Sequence, residues 1–299
     1  MKVNRVRQNV LPLLTAMIWG TAFVAQSIGA DYMGPFVFNA ARAVIAFVFL
    51  LCLLSFRLAF QKRRHVVHPI GQRWDLLLGG LCCGAALTVA SFFQQKGLET
   101  TSSGKAGFIT ALYIVLVPVL GLLLGRKPPR MVWVSIVLAV GGLYCLCITD
   151  GFSITTGDFY VLLCAFCFSV QIMAVDHFGQ KVDGVALSCC QFFVMSVLSA
   201  LGSFADRLPD PALASEWLGP VLYVGVFSSG VAYTLQILAQ KDSDPAVVSL
   251  LMSMESVFAT LAGVLILHDR LSSRELFGCA LMLAAVVLAQ LPDKKTRFA

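Results

Sequence analysis

The chain has 299 residues, of which 58% are hydrophobic and only 13% are charged, and its mean hydropathy is +0.84. A soluble domain carries about twice this charged fraction, so the composition excludes a soluble globular protein and predicts a polytopic protein in a lipid bilayer. The net charge of +6 would suit a nucleic-acid-binding protein, but the positions of the basic residues favour another origin for it.

Ten apolar segments, joined by short loops, follow one another along the chain. Each approaches the length of about 20 residues that a helix needs to cross a bilayer, and no alternating β-barrel pattern occurs. The basic N-terminus resembles a signal peptide, but its apolar part is long and more spans follow, which indicates a retained first helix. The predicted fold is all-α, with membrane spans at residues 10–29, 35–56, 75–95, 102–125, 131–149, 157–176, 184–204, 217–239, 245–267 and 274–291.

The Lys and Arg residues divide unevenly between the two sides of the membrane. Most of them fall at the N-terminus, in residues 57–73, in the turn at residues 126–130 and in the C-terminal tail, which all lie on one side. The positive-inside rule places this side, with both termini, in the cytoplasm. We therefore expect a multi-pass protein of the bacterial cytoplasmic membrane, and nucleic acid is excluded as a partner. The sequence is compatible with a monomer and leaves the oligomeric state open.

The ten cysteines all lie in apolar stretches, including the C-x-x-C pair Cys164 and Cys167. Zinc or redox chemistry needs polar surroundings and further ligands, so packing is the simpler interpretation and no metal or cofactor is predicted. The sequence holds no phosphate-binding loop, G-x-S-x-G or H-E-x-x-H motif. Neither ATP coupling nor an enzyme activity is therefore expected.

The first half of the chain is repeated in the second half. LLTAMIWGTAFVAQ from Leu13 matches LLCAFCFSVQIMAV from Leu162, and PFVFNAARAVIAF from Pro35 matches GVALSCCQFFVMS from Gly184 at the same interval of 149 residues. Five spans are an odd number, so the second copy would enter the membrane inverted, as in many transporters. We predict two inverted five-helix repeats, residues 1–152 and 153–299.

A further match relates ASFFQQ, which begins at residue 90, to AYTLQI, which begins at residue 232. It places Gln94 opposite Gln236, and the 149-residue interval places Arg42 opposite Gln191. Inverted repeats of this kind form their binding site near the membrane midplane, between the halves.

Four stretches carry a family resemblance: WGTAFVAQ, FNAARAVIAF, SGKAGFITALYIVLVP and MESVFATLAGVLILHDRLS. They resemble the drug/metabolite transporter superfamily in its EamA-type, ten-helix branch, although Ser256 stands where that family has proline. Members mostly export amino acids and other small metabolites. The resemblance implies a central cavity lined by the first, third, fourth, sixth, eighth and ninth spans, with the fifth and tenth at the periphery.

Glu255 is the one acidic residue that falls in the middle of a predicted span. It lies about 15 Å along a helix that begins at residue 245, near the midplane of a hydrocarbon core about 30 Å thick. Such a charge is costly, and burial of a carboxylate favours proton uptake, which indicates proton or cation coupling. The structural alternative is a carboxyl group that bonds to a neighbouring helix. Ser249, Ser253, Ser256 and Thr260 form a separate polar stripe, and the sequence leaves open which face lines the cavity.

Arg42 lies about 10 Å into the second span. It could bind a substrate carboxylate or pair with Glu255, or it could satisfy backbone carbonyls or extend to the interface.

Lys105 suits an interfacial charge or a guard at the pore mouth, and Pro118 predicts a break in the fourth span. On the eighth span, Ser229 shares a helical face with two of the candidate residues. The remaining candidates for substrate binding are Trp19, Gln26, Gln94, Tyr113, Gln171, Tyr233, Gln236 and Ser253.

These features together predict a secondary transporter of a small polar metabolite, an amino acid or a related compound. It would act as an exporter by alternating access around a midplane site between the repeats. One alternative is a proton-antiporting efflux pump for organic cations, in which Glu255 exchanges proton for drug. A more remote alternative is a lipid flippase or membrane-embedded enzyme. The sequence leaves the substrate, the coupling ion and the direction of transport open.

Overall fold

The computed structural model describes residues 9–63, 70–101, 103–126, 128–147, 155–241, 243–267 and 272–289. Within these ranges the chain forms helices and turns and no strand. The α-helices are α1 (Leu11–Tyr32), α2 (Pro35–Arg63), α3 (Arg73–Leu98), α4 (Ser103–Ala111), α5 (Tyr113–Leu123), α6 (Arg130–Cys147), α7 (Thr156–Gly179), α8 (Gly184–Gly202), α9 (Ala214–Tyr223), α10 (Tyr233–Gln240), α11 (Pro245–Met252), α12 (Glu255–Leu267) and α13 (Ser273–Ala289).

Seven helical stretches in the described ranges are long and apolar enough to cross a membrane. Shorter apolar helices lie at Arg130–Cys145 and Pro245–Leu261, and the 17-residue α13 follows them. These stretches coincide with the ten predicted spans, which confirms the all-α polytopic fold.

Three of the predicted spans are not continuous α-helices. The fourth divides at Leu112 into α4 and α5, and the ninth divides after Met252 into α11 and α12. In the eighth, the π-helical segment Val224–Ala232 separates α9 from α10. The prediction of one continuous helix over residues 245–267 is therefore wrong. The predicted break at Pro118 is wrong as well, because this residue lies inside α5.

Local hydrogen bonds explain where the two breaks fall. The amide of Leu112 bonds to the carbonyl of Ile109 at 3.2 Å, and the amide of Met254 bonds to the carbonyl of Leu251 at 3.3 Å. Both bonds span three residues rather than four, so the chain tightens at these points. Before the second break, the Ser253 hydroxyl donates to the carbonyl of Leu250 at 2.7 Å, a side-chain bond that competes with regular helix geometry.

The helices of the two halves pack in pairs that correspond to one another. α2 packs on α8, and α6 packs on α13, so the second span meets the seventh and the fifth meets the tenth. In the first half, α3 and α5 both pack on α7, which belongs to the second half. In the second half, their equivalents, the eighth span and α12, both pack on α1, the equivalent of α7. Exchanging the halves therefore exchanges equivalent contacts, which is the packing that an inverted repeat requires.

Two basic side chains form ion pairs with acidic residues of other helices at one end of the bundle. Arg57 near the end of α2 forms an ion pair of 2.7 Å with Asp183 at the start of α8, and Lys181 lies 3.7 Å from Asp75. These residues belong to the side on which the sequence concentrates Lys and Arg. The helices therefore alternate in direction as the predicted order of spans requires.

Two adjacent glycines test the contact between α6 and α13. A Cβ atom at Gly142 would lie 2.9 Å from the carbonyl oxygen of Gly278, whereas a Cβ atom at Gly141 would meet nothing within 4 Å. We expect Gly142→Ala to lower the free energy of unfolding by about 1–3 kcal/mol through overpacking. Gly141→Ala is the matched control and should be neutral or slightly stabilising, because alanine favours helix by about 1 kcal/mol. Thermal unfolding of both variants in detergent measures this difference, and equal melting temperatures would contradict the packing.

Candidate functional site

A cavity lies between the two halves. Its wall includes residues from α1, α3, α4, α5, α7, α10 and α12 and from the π-helical segment, as the family resemblance implies, while α6 and α13 stay at the periphery. α2 contributes as well, through one charged residue. The lining residues are Trp19, Phe23, Gln26, Arg42, Gln94, Thr110, Tyr113, Phe168, Gln171, Ile172, Ser228, Tyr233, Gln236 and Glu255.

Nine of the ten candidate residues from the sequence lie in this wall, and Ser253 does not. The Ser253 side chain is fully buried and its hydroxyl bonds to its own helix. The chain turns between Met252 and Glu255. The polar stripe of Ser249, Ser253, Ser256 and Thr260 therefore lies outside the cavity wall, whereas the carboxyl group of Glu255 lines the cavity. The structure thus answers which of the two faces lines the cavity.

The sequence candidates omitted five lining residues; the repeat interval points to three of these, and helical periodicity points to a fourth. Phe168 lies 149 residues after the candidate Trp19, and Ile172 lies 149 residues after Phe23, so the wall contains two pairs of equivalent residues. Thr110 shares a helical face with Tyr113 on the fourth span. These positions could have been found from the repeat interval and from helical periodicity.

The fifth omitted residue is Ser228, which lies in the cavity wall where the sequence predicted Ser229. The prediction assumed about 3.6 residues per turn, but this segment is a π-helix, whose wider turns bring residues five apart onto one face. Ser228 therefore shares the cavity face with Tyr233. No pattern in the sequence signals the π-helix.

Glu255 and Tyr113 meet across the cavity at corresponding breaks of the two halves. Each is the first residue of a half-helix, α12 and α5, and the Tyr113 hydroxyl donates to Glu255 Oε1 at 3.3 Å. Glu255 follows Tyr113 by 142 residues, the interval that also separates Gln94 from Gln236. The bond therefore joins equivalent positions of the repeat. The helix N-terminus favours negative charge here, which makes a carboxylate at this depth less costly.

Arg42 is buried in the wall, with 1% of its surface exposed. Its guanidinium donates to Gln26 Oε1 at 3.1 Å and to the Ser91 hydroxyl at 2.7 Å, while Nε has no partner. Within the described chain no carboxylate lies within 4 Å of it, so the ion pair with Glu255 that the sequence left open is not formed. The cavity thus presents a cation and a carboxyl group that do not neutralise each other directly.

Side-chain amides form a third polar feature of the wall. Gln236 Nε2 donates to Gln171 Oε1 at 3.2 Å, while Gln236 Oε1 is buried without a partner. Gln94, its equivalent in the first half, forms no hydrogen bond through its side chain within the described residues. Trp19 completes this part of the wall, with its ring 4.8 Å from that of Tyr233.

Comparison with known proteins places this architecture in a family. The model of the EamA-like transporter family matches the chain twice, over residues 8–148 and 155–291. The chain belongs to the EamA-like transporter family. The two matches fall on the two halves between which the cavity lies.

The relatives of this EamA-like transporter include characterised and uncharacterised transporters. An uncharacterized transporter of Archaeoglobus fulgidus is 32% identical over 97% of this chain and 87% of its own length. The threonine/homoserine exporter RhtA of Escherichia coli is 24% identical over 96% of this chain and 92% of its own length. A solved crystal structure superposes with a TM-score of 0.77 at 21% identity, covering 97% of this chain and 98% of the other, and shows the same fold. Family and relatives are transporters, not enzymes.

In this transporter, Gly20 lets α1 approach the first turn of α12. A Cβ atom at position 20 would lie 2.5 Å from the carbonyl oxygen of Glu255 and 2.8 Å from the amide of Ala259. Only glycine permits this distance between the two backbones. The α1 contact positions the backbone of Glu255, and the hydrogen bond from Tyr113 positions its side chain.

Ion pairs tie both ends of α7 to the fourth span of the transporter. Lys105 near the start of α4 lies 2.6 Å from Asp158 at the start of α7, and Thr101 also donates to this carboxylate. At the other end, Arg126 after α5 pairs with the buried Asp176 near the end of α7. The cavity therefore lies between two ion-paired contacts along a single helix pair.

Proposed function

We propose that this protein is a secondary transporter that exports a small polar metabolite, an amino acid or a related compound. The observation that carries the proposal is the polar cavity at the matching helix breaks of the two halves. Half-helix ends that meet in a membrane interior are typical substrate and ion sites of secondary transporters. RhtA, a distant relative over nearly the full length, is a threonine/homoserine exporter, which supports the substrate class and the direction.

The arrangement of the halves supports a mechanism of alternating access. We assign residues 1–152 and 153–299 to two inverted repeats that rock against each other around the cavity. Both termini would face the cytoplasm of a bacterial cell, and the proton is the proposed coupling ion, carried by Glu255. A C-terminal reporter that is active only in the cytoplasm tests this orientation.

One observation favours the alternative of an efflux pump for organic cations. Aromatic rings from Trp19, Phe168 and Tyr233 share the cavity with Glu255, and ring faces attract cations. Arg42 opposes this alternative, because a buried cation in the same wall repels a permanently cationic solute. The pump alternative therefore requires the solute to avoid the Arg42 side of the cavity.

The two ion pairs on α7 are the proposed gates. Opening the cavity toward one side requires α4 and α7 to separate at Lys105 and Asp158, and opening it toward the other requires Arg126 to leave Asp176. Gly125, at φ +79°, ends α5 and lets the chain turn so that Arg126 can reach α7. Breaking one pair should shift the population toward the state that is open at that end.

Labelling of the cavity from either side measures this shift. A cysteine replaces Thr110, which lies in the wall and has no hydrogen-bond partner, in a variant whose native cysteines are removed. We expect Asp158→Asn to speed labelling by an impermeant thiol reagent about tenfold from the Lys105 side, since a charge-assisted bond is worth about 1.5–3 kcal/mol. Asp176→Asn should do so from the opposite side. Labelling that rises equally from both sides with either variant would contradict separate gates.

Transport by purified protein in liposomes tests the function itself. The panel includes amino acids, monocarboxylates, primary and quaternary amines and polyols, each present as labelled solute outside and unlabelled solute inside. We expect exchange above that of empty liposomes for at least one small polar class. If every class exchanges at the rate of empty liposomes, the transporter proposal for small polar metabolites fails.

A further inference from the structure

Arg42 has unused capacity to bind an anion. A guanidinium offers five N–H donors, and the two hydrogen bonds that Arg42 makes within the described residues go to the neutral oxygen atoms of Gln26 and Ser91. Those two bonds hold the planar group in place without neutralising it, and Nε remains without a partner. A fixed and nearly fully buried guanidinium that faces a cavity matches the geometry of a carboxylate, which it can bind through two parallel bonds.

Glu255 has unused capacity of the opposite kind. Tyr113 occupies Oε1, and Oε2 accepts no hydrogen bond within the described chain. An ammonium group carries three donors, so it can use this free oxygen and the buried, unpartnered acceptor Gln236 Oε1. The side chain of Gln94 is also free to bond to a polar substituent of a solute.

We propose that the cavity binds its solute as a zwitterion, with the solute carboxylate on Arg42 and the solute ammonium group on Glu255. This inference rests on the proposed transport function and specifies its substrate class. With Glu255 ionised, the two charges of the protein and the two charges of the solute leave the buried site neutral. A simple cation would leave Arg42 unpaired, and a simple anion would leave ionised Glu255 unpaired, and both are costly in a low-dielectric cavity.

Binding of three analogues to the purified, full-length protein separates the two contacts. For the amino acid of the transport panel that binds best, we compare the amino acid, its amide, which lacks the carboxylate, and its deaminated acid, which lacks the ammonium group. Arg42→Gln should weaken amino-acid binding by about 30-fold or more, because one partner of a buried charge pair is lost, and should leave binding of the cationic amide unweakened or tighter, because its charge no longer meets an unpaired guanidinium. Glu255→Gln should weaken amino-acid binding similarly and leave binding of the anionic deaminated acid unweakened or tighter, because no unpaired carboxylate then remains in the cavity.

Asn39→Leu is the matched control for Arg42→Gln. Asn39 lies one turn earlier on α2 and is 1% exposed, and it does not line the cavity. This variant should leave the affinities for all three compounds within about threefold of the original values.

Three results would overturn the inference. The first is that Arg42→Gln weakens binding of the amino acid and of its amide equally. The second is that Asn39→Leu weakens amino-acid binding as much as Arg42→Gln does. The third is that only pure cations or only pure anions of the panel bind. In the last case exchange of those ions would persist, so the transport function would stand while the zwitterion assignment fails. A protein that exchanges no solute would instead refute the transport function.

Discussion

Glu255→Gln should abolish solute accumulation driven by a pH gradient and leave solute exchange in place at high solute concentration. The amide has nearly the shape of the carboxyl group and can still accept the bond from Tyr113, so the fold should persist. An amide cannot carry a proton, so the gradient no longer drives the cycle. The half-saturation concentration for exchange should rise about 30-fold or more, because the ammonium contact is lost.

Two measurements distinguish this outcome from a structural role. In liposomes we compare accumulation under an imposed pH gradient with exchange under no gradient, for the original protein and for the variant. A purely structural Glu255 predicts that both modes stay near normal, because the amide preserves the hydrogen bond. Gradient-driven accumulation by Glu255→Gln at the original rate would end the coupling proposal. Arg42 and Glu255 form no ion pair, so we expect no loss of folding that Arg42→Gln would rescue.

Gly20→Val should abolish transport although it alters no polar group of the cavity. A Cβ atom at position 20 already overlaps the carbonyl oxygen of Glu255 at 2.5 Å, and the two γ-methyl groups of valine add volume to the same contact. The α1 and α12 backbones must then separate, which displaces Glu255 relative to Tyr113. Overpacking of this kind costs about 1–3 kcal/mol, so the melting temperature should fall as well.

Gly107→Ala is the control for this variant. Gly107 lies on α4, and a Cβ atom there would have its nearest neighbour, on Phe23, at 4.0 Å. It should retain exchange and the original melting temperature. If Gly20→Val exchanged solute at the rate of Gly107→Ala, the close approach of α1 to α12 would not be required for the site.

Much of the fold followed from the sequence because the bilayer imposes simple rules. Span number, span length and alternation depend only on apolar length and on the placement of basic residues such as Arg57 and Lys181. The repeat interval placed Gln94 opposite Gln236, and both lie in the cavity wall. Polar groups within apolar spans are costly, so most of those that the sequence isolated do line the cavity.

The remainder of the site depended on helix geometry that no periodicity reveals. Ser253 shared an ideal helical face with other serines, but the chain breaks there, and its hydroxyl satisfies a local carbonyl instead. Ser228 reached the cavity only because the surrounding turns are π-helical. Pro118 suggested a break that in fact falls at Leu112, where three-residue backbone bonds tighten the chain.

Counterflow, measured before and after chemical modification of the cavity wall, tests most directly whether solute passes through this cavity by alternating access. Liposomes loaded with unlabelled solute should accumulate labelled solute transiently above its external concentration, because one site that faces each side in turn exchanges the two pools. Modification of a cysteine at position 110 in the cavity wall should abolish this overshoot, and saturating solute should slow the modification. Uptake without an overshoot, or an overshoot that survives complete modification, would contradict alternating access through this cavity.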